Sequence, residues 1–123
     1  TGRPRRVGPI DIVATRYGVQ TQGATTIALT KLDVLSYMDR IPVCTKYVVD
    51  GKETDKFPFP AALAEAKPVI EYLAGWGCDI SGVRTWEDLP KQAQAYVEYL
   101  EQAIGCHIGY VSVGPERDAY IKR

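Results

Sequence analysis

Short apolar runs broken by turn residues, followed by one long amphipathic segment, predict an α/β fold: a mixed sheet with a β-hairpin and flanking helices. Three observations carry this. The apolar run Ile27-Ala28-Leu29 ends in the polar Thr30-Lys31-Leu32-Asp33, the pattern of an α/β strand leaving the core at its carboxyl end. Asp50-Gly51 separates Val43–Val49 from Lys52–Phe57 with the residue types of a two-residue hairpin turn. After Pro90, the residues Ala93, Tyr96, Val97, Leu100 and Ile104 recur at helical spacing, with Lys91, Gln94, Glu98 and Glu101 on the wet side.

In chain order, residues 1–6 read as an irregular loop. Pro9 opens a helix whose buried stripe is Ile10, Val13, Ala14 and Tyr17, with Asp11 at its positive end, Arg16 and Gln20 facing solvent, and Gly23 as its stop. Thr25–Lys31 is the first strand, buried at its centre, and Val34–Asp39 a short helix. Ile41-Pro42 interrupts the chain before the hairpin strands Val43–Val49 and Lys52–Phe57, where Tyr47 and Phe57 pack together. Ala61–Ala66 forms a short helix closed by Lys67-Pro68. Val69–Leu73 is a further strand, and Gly75-Trp76-Gly77 a loop with an aromatic plug. Trp76 and Trp86 anchor the core, 78–88 is loop, and Gly105 ends the long helix. Cys106–Ser112 is the last strand, ahead of a C-terminal tail.

Length and composition narrow the function classes. One domain, residues 1–123, accounts for the whole chain. Fifteen Lys and Arg balance fifteen Asp and Glu, which disfavours a general polyanion binder and nucleic acid as partner. Three widely spaced cysteines without a CxxC pair, and a lone His107, make no metal site; they fit reduced thiols in the cytoplasm. No apolar run is long enough to span a bilayer, and no apolar h-region follows the basic start, so no membrane role is expected. The start at Thr1, without Met, reads as a chain cut from something longer.

Three stretches can carry binding chemistry. Asp33 offers two acceptor oxygens in one plane, matching the adjacent N1–H and 2-amino donors of guanine, which adenine lacks. The Lys31 stem can lie along the base while its ammonium stays wet. The same residues also fit a helix N-cap at Thr30 or Asp33. Arg3, Arg5 and Arg6 project guanidinium forks suited to carboxylates and phosphates, or belong to a frayed terminus. Ser112-Val113-Gly114-Pro115 can turn backbone amides toward a ligand, or form a plain turn.

An arginine loop, then Thr30-Lys31-Leu32-Asp33, then Ser112-Val113-Gly114-Pro115-Glu116-Arg117 is, in that order, similar to the C-terminal region of adenylosuccinate synthetases. The likeness extends to Val13-Ala14 with Arg16-Tyr17, Val34-Leu35, Ile41-Pro42-Val43-Cys44, Gly75-Trp76 and Asp88-Leu89-Pro90, and so covers essentially the whole chain. The resemblance implies the C-terminal portion of a larger P-loop-type, GTP-dependent ligase. Such enzymes join L-aspartate to IMP, with GTP phosphorylating the purine O6 and the aspartate amine displacing phosphate. It implies that Thr1, Gly2, Arg3, Pro4 and Arg5 match the substrate loop that closes over aspartate. Within that loop Arg3 also reaches IMP, and Arg5 is shared with the GTP side. It further implies that Lys31, Leu32 and Asp33, with Ser112, Val113 and Gly114, match guanine-contacting segments. Two positions depart from the family: Pro9-Ile10 stands where an aromatic residue is common, and Val113 where a polar one is.

The family's catalytic Asp, Lys and His, its phosphate loop and its Mg2+ ligands belong to an N-terminal half with no counterpart here. No Gly-rich loop ending in Lys occurs, so this polypeptide is expected to be inactive alone. The full-length enzyme is expected to be a homodimer. The alternative is a non-catalytic, stand-alone binding or scaffold module.

Overall fold

The computed structural model describes residues 2–123; Thr1, and with it the first residue of the expected substrate loop, lies outside the described residues. The elements in order are β1 (Ile10–Asp11), α1 (Ile12–Gln22), β2 (Thr26–Leu29), a 3-10 turn (Leu32–Tyr37), β3 (Arg40–Val49), β4 (Lys52–Thr54), α2 (Pro60–Glu65), β5 (Lys67–Ala74), a second 3-10 turn (Trp86–Asp88), α3 (Lys91–Ile104), β6 (His107–Ser112) and β7 (Tyr120–Lys122).

The strands form two mixed sheets. In the first, β3 is central: β5 runs antiparallel along one edge, and β1 (parallel) and β4 (antiparallel) share the other. In the second, β6 lies between β2, which is parallel to it, and β7, which is antiparallel. α3 presents the predicted face, Ala93, Tyr96, Val97, Leu100 and Ile104, to a core completed by Leu32, Ile41, Trp76, Ile80, Ile108, Val111 and Ile121. A smaller cluster of Val13, Cys44 and Tyr47 takes in Phe57, so the expected Tyr47–Phe57 packing holds. The hairpin turn is present, with φ of 52° at Asp50 and 77° at Gly51, both positive as a type I′ turn requires.

Several expectations fail for local reasons. Ile10-Asp11 is a strand rather than helix, because it pairs with Val43 and Cys44; the helix begins at Ile12, capped by Asp11 through the Ala14 N–H at 3.0 Å. Tyr17 is half-exposed and stacks on Phe57 at 4.8 Å, and Ile12 takes its place in the core. Arg16 does not face solvent freely: its Nε and Nη2 donate to the Ala103 carbonyl at 3.0 and 2.7 Å, tying α1 to the end of α3. β2 is shorter than Thr25–Lys31 and alternates exposed with half-buried residues, since successive side chains point to opposite faces and only one face packs inward. The turn after it is 3-10 and spans Leu32–Tyr37 rather than Val34–Asp39.

Both prolines expected to break strands lie inside them, Pro42 opposite Tyr72 and Pro68 opposite Tyr47. β1 joins β3 only from Val43, and β5 is an edge strand, the settings in which a missing N–H is tolerated. β4 stops at Thr54, short of Phe57. The expected C-terminal tail contains β7, paired with Tyr110, Val111 and Ser112.

Candidate functional site

Parallel pairing of β2 with β6 decides where the polar loops go. Leu29 stands opposite Val111, so both strands end at the same edge of the sheet. Adjacent strands lie about 4.8 Å apart. The segments leaving them, Thr30-Lys31-Leu32-Asp33 and Ser112-Val113-Gly114, therefore emerge side by side, although some eighty residues separate them in sequence. This is the position at which open α/β sheets bind ligands.

Lys31 turns the chain out of β2. Its φ of 64° and ψ of 33° are left-handed, a conformation that costs a non-glycine residue roughly 1–2 kcal/mol. Leu32 follows it into the core and is only 1% exposed, so its side chain serves packing and its backbone alone is available to a ligand. Asp33 is half-exposed and belongs to no ion pair among the described residues. The N-cap explanation for these residues fails, because the cap position is Lys31 and no side chain bonds to the turn's amides there.

In the second loop the Ser112 hydroxyl donates to the Gly114 carbonyl at 3.1 Å. Val113 is fully buried and its N–H donates to the Ala119 carbonyl at 2.9 Å, which makes a valine harmless where a polar residue is common. A Cβ at Gly114 would lie 3.0 Å from Glu116 Oε2 and 3.1 Å from Ala119 Cβ, a tight fit that a side chain meets only if these neighbours shift by a few tenths of an ångström.

The arginine segment reaches the same region by its far end. Gly8 and Ile10 join Thr30, Lys31, Leu35 and Tyr96 around a cleft of about 210 Å3. Residues 2–9 are exposed and without regular structure, and neither Arg3 nor Arg5 lines that cleft. The fold thus sets the Lys31–Asp33 and Ser112–Gly114 segments side by side at the strand ends and brings the root of the arginine loop to Lys31, but Asp33, Ser112, Val113 and Gly114 do not line that cleft either, and the arginines are not seated. Tyr96, which periodicity assigned only to the core, also lines the cleft beside Lys31; one ring on a helix can do both, and the pattern has no means of saying so.

Among the described residues no group of three or more His, Cys, Asp or Glu is placed to hold a metal ion. The residues present therefore do not fit a magnesium site, and no chemistry is routed through one here. Among the described residues no helix is long and apolar enough to cross a membrane.

Fold and site together define an α/β domain with two polar loops side by side at the carboxyl ends of neighbouring parallel strands. Comparison with known proteins gives the particular family. A family-wide sequence profile described as adenylosuccinate synthetase matches residues 1–121. The chain is 52% identical over 122 residues to the adenylosuccinate synthetase of Pelobacter propionicus, covering 98% of this chain and 28% of that protein. It is 49% identical over 124 residues to that of Kineococcus radiotolerans, covering 100% and 29%. The structure of fully ligated adenylosuccinate synthetase from Plasmodium falciparum superposes with a TM-score of 0.92 at 33% identity, over 98% of this chain and 30% of that one. The chain belongs to the adenylosuccinate synthetase family. It spans less than a third of the length of these relatives.

Proposed function

We propose that this chain supplies the guanine-recognition surface and the substrate loop of a GTP-dependent ligase that joins L-aspartate to IMP, making adenylosuccinate. The observation that carries this reading is the convergence of the Lys31–Asp33 and Ser112–Gly114 segments at one edge of the second sheet, with Asp33 in no ion pair among the described residues.

In this reading the Asp33 carboxylate accepts from guanine N1–H and the 2-amino group, and the Lys31 stem covers one face of the base. Ser112, Val113 and Gly114 line the base through their backbone, the only route open to a buried Val113. Thr1, Gly2, Arg3, Pro4 and Arg5 form the loop that closes on aspartate, with Arg3 also reaching IMP and Arg5 the GTP side. The γ-phosphoryl group passes to O6 of IMP, leaving GDP. The aspartate amine then attacks C6, loses a proton, and O6 departs with the phosphate. The groups that hold the phosphates and Mg2+ belong to parts of the relatives outside this stretch, as does the completed homodimer.

Asp33→Asn in the full-length enzyme tests the assignment. Asn accepts one hydrogen bond where the carboxylate accepts two charge-assisted ones, so kcat/KM with GTP is expected to fall roughly tenfold or more. Preference for GTP over ITP and ATP should fall with it. Unchanged GTP kinetics would remove Asp33 from base recognition. Arg3→Ala should raise KM for aspartate or lower kcat while leaving KM for GTP nearly intact; a change confined to GTP would reverse the loop's role.

A further inference from the structure

Asp33 sits on a six-residue 3-10 turn, a structure with little stability of its own. Its backbone bonds are local, Val34 N–H to the Lys31 carbonyl at 3.2 Å and Met38 N–H to the Leu35 carbonyl at 3.1 Å. Three contacts from outside hold it. Leu32 is sunk in the core at its first residue. Near its last residue, Trp76 Nε1 donates to Ser36 Oγ at 2.9 Å, across forty positions of sequence. Just past its end, the Gly75 N–H donates to the Asp39 carbonyl at 2.8 Å.

The Gly75-Trp76 loop is itself rigidly placed. The indole is 92% buried and meets the Tyr96 ring edge-on at 5.9 Å, the same Tyr96 that lines the cleft beside Lys31. A Cβ on Gly75 would fall 2.0 Å from the Met38 carbonyl oxygen and 2.9 Å from that of Asp39, so any side chain there must push the backbone after the turn away. A carboxylate that reads two donors in one plane needs its backbone fixed to a few tenths of an ångström, and recognition of this kind depends on supporting contacts.

We infer that Trp76 and Gly75 are positioning residues for nucleotide selection: they clamp the far end of the turn so that Asp33 meets the guanine edge in register. The inference rests on the guanine-recognition reading above. It assigns specificity to a loop that touches no ligand in that reading.

The test is steady-state kinetics of the full-length enzyme with GTP and ITP, which lacks the 2-amino group. Trp76→Phe keeps an aromatic ring in the core and removes the N–H; Ser36→Ala removes the acceptor. Each is expected to raise KM for GTP roughly fivefold, the weight of one hydrogen bond, and to lower the GTP-to-ITP preference. The kcat at saturating GTP and KM for IMP should hold. Because both variants break one bond, the double variant should do no more than either alone. Gly75→Ala should exceed both.

A lowered melting temperature with unchanged GTP-to-ITP preference in Trp76→Phe and Ser36→Ala would overturn the inference, reducing the loop to core packing. Asp33→Asn run alongside separates the two levels. If it alters the preference while Trp76→Phe and Ser36→Ala do not, only the positioning role falls. If it does not, guanine recognition falls and takes the clamp with it.

Discussion

Glu101 shows how much one side chain can hold. At the start of β6, the opposite end of that strand from Ser112, its Oε2 accepts from the Ile108 N–H at 2.7 Å and from Arg123 Nη1 at 2.9 Å, and lies 2.8 Å from His107 Nδ1. Arg123 also donates to the Ile108 carbonyl at 3.1 Å, and its guanidinium lies over the Trp86 ring at 4.2 Å. Burial pushes the Glu101 pKa up, but the Ile108 amide, Arg123 and His107 together outweigh it and hold the carboxyl below its ordinary 4.5. A carboxyl whose folded pKa is depressed contributes stability above its unfolded pKa and loses it as pH falls through the folded one. Glu101→Gln is therefore expected to cost about 1.5–3 kcal/mol at pH 7. Urea unfolding at pH 7 and again below pH 4 should show the gap to the parent narrowing at the lower pH; an equal gap at both would rule out the ionised carboxylate as its source. Periodicity placed Glu101 on the wet face of α3, whereas its side chain is only 24% exposed and folds back over β6. It could not see the partners, because they come from the next strand and from the end of the chain. Asp33 is the converse case: residue type left a ligand contact and a helix cap both open, and the absence of a capping bond needed the structure.

At the scale of elements, what was legible is what local geometry demands. The Asp50-Gly51 hairpin could be read because few residues tolerate two successive positive φ angles, and α3 because fourteen residues repeat one pattern. β1 and β7 have two and three residues, too few for any alternation, and exist only through pairing with distant strands. Asp11 joins two such elements. Its Oδ1 caps α1 through the Ala14 N–H, and its Oδ2 accepts the Tyr47 hydroxyl of β3. Burial first, and then the Asp11 bond and charge, drive the Tyr47 pKa upward, so the phenol stays a donor over the whole working range. Asp11→Ala removes both bonds and is expected to cost about 1–2 kcal/mol for the cap alone. Tyr47→Phe should cost about 1 kcal/mol. Thermal unfolding of the double variant should show less than the summed loss, because the Tyr47 bond can be lost only once. Strict additivity would mean that cap and hydroxyl act independently and that α1 is not fastened to the first sheet at this point.

Taken whole, the molecule juxtaposes two loops that the sequence presents as unrelated. Each was readable alone as a polar turn after an apolar run, but their adjacency follows from strand order, and β2 and β6 pair across most of the chain. No local signal encodes that, since residues Thr26 and His107 meet only through the larger core behind them. The same view sets a limit on what 123 residues can do. A nucleoside triphosphate binds mainly through its phosphates, which need convergent backbone amides and cations. No Gly-rich loop ending in Lys occurs in this sequence, the formal net charge is zero, and Arg3 and Arg5 stand exposed away from the cleft beside Lys31. In the proposed reading, what remains for a nucleotide is one carboxylate, one lysine stem and a strip of backbone on an open surface. Each such hydrogen bond contributes about 1 kcal/mol, while association itself costs at least 4 kcal/mol, so the sum stays near zero. The 123-residue chain is therefore expected to show no saturable heat with GTP below about 1 mM, where the standard free energy is already only about −4 kcal/mol. Guanosine should behave the same, because removing the triphosphate removes nothing the chain holds. Micromolar binding of GTP by calorimetry, with guanosine silent, would mean that this stretch carries a phosphate site of its own and that the arginine segment folds onto it.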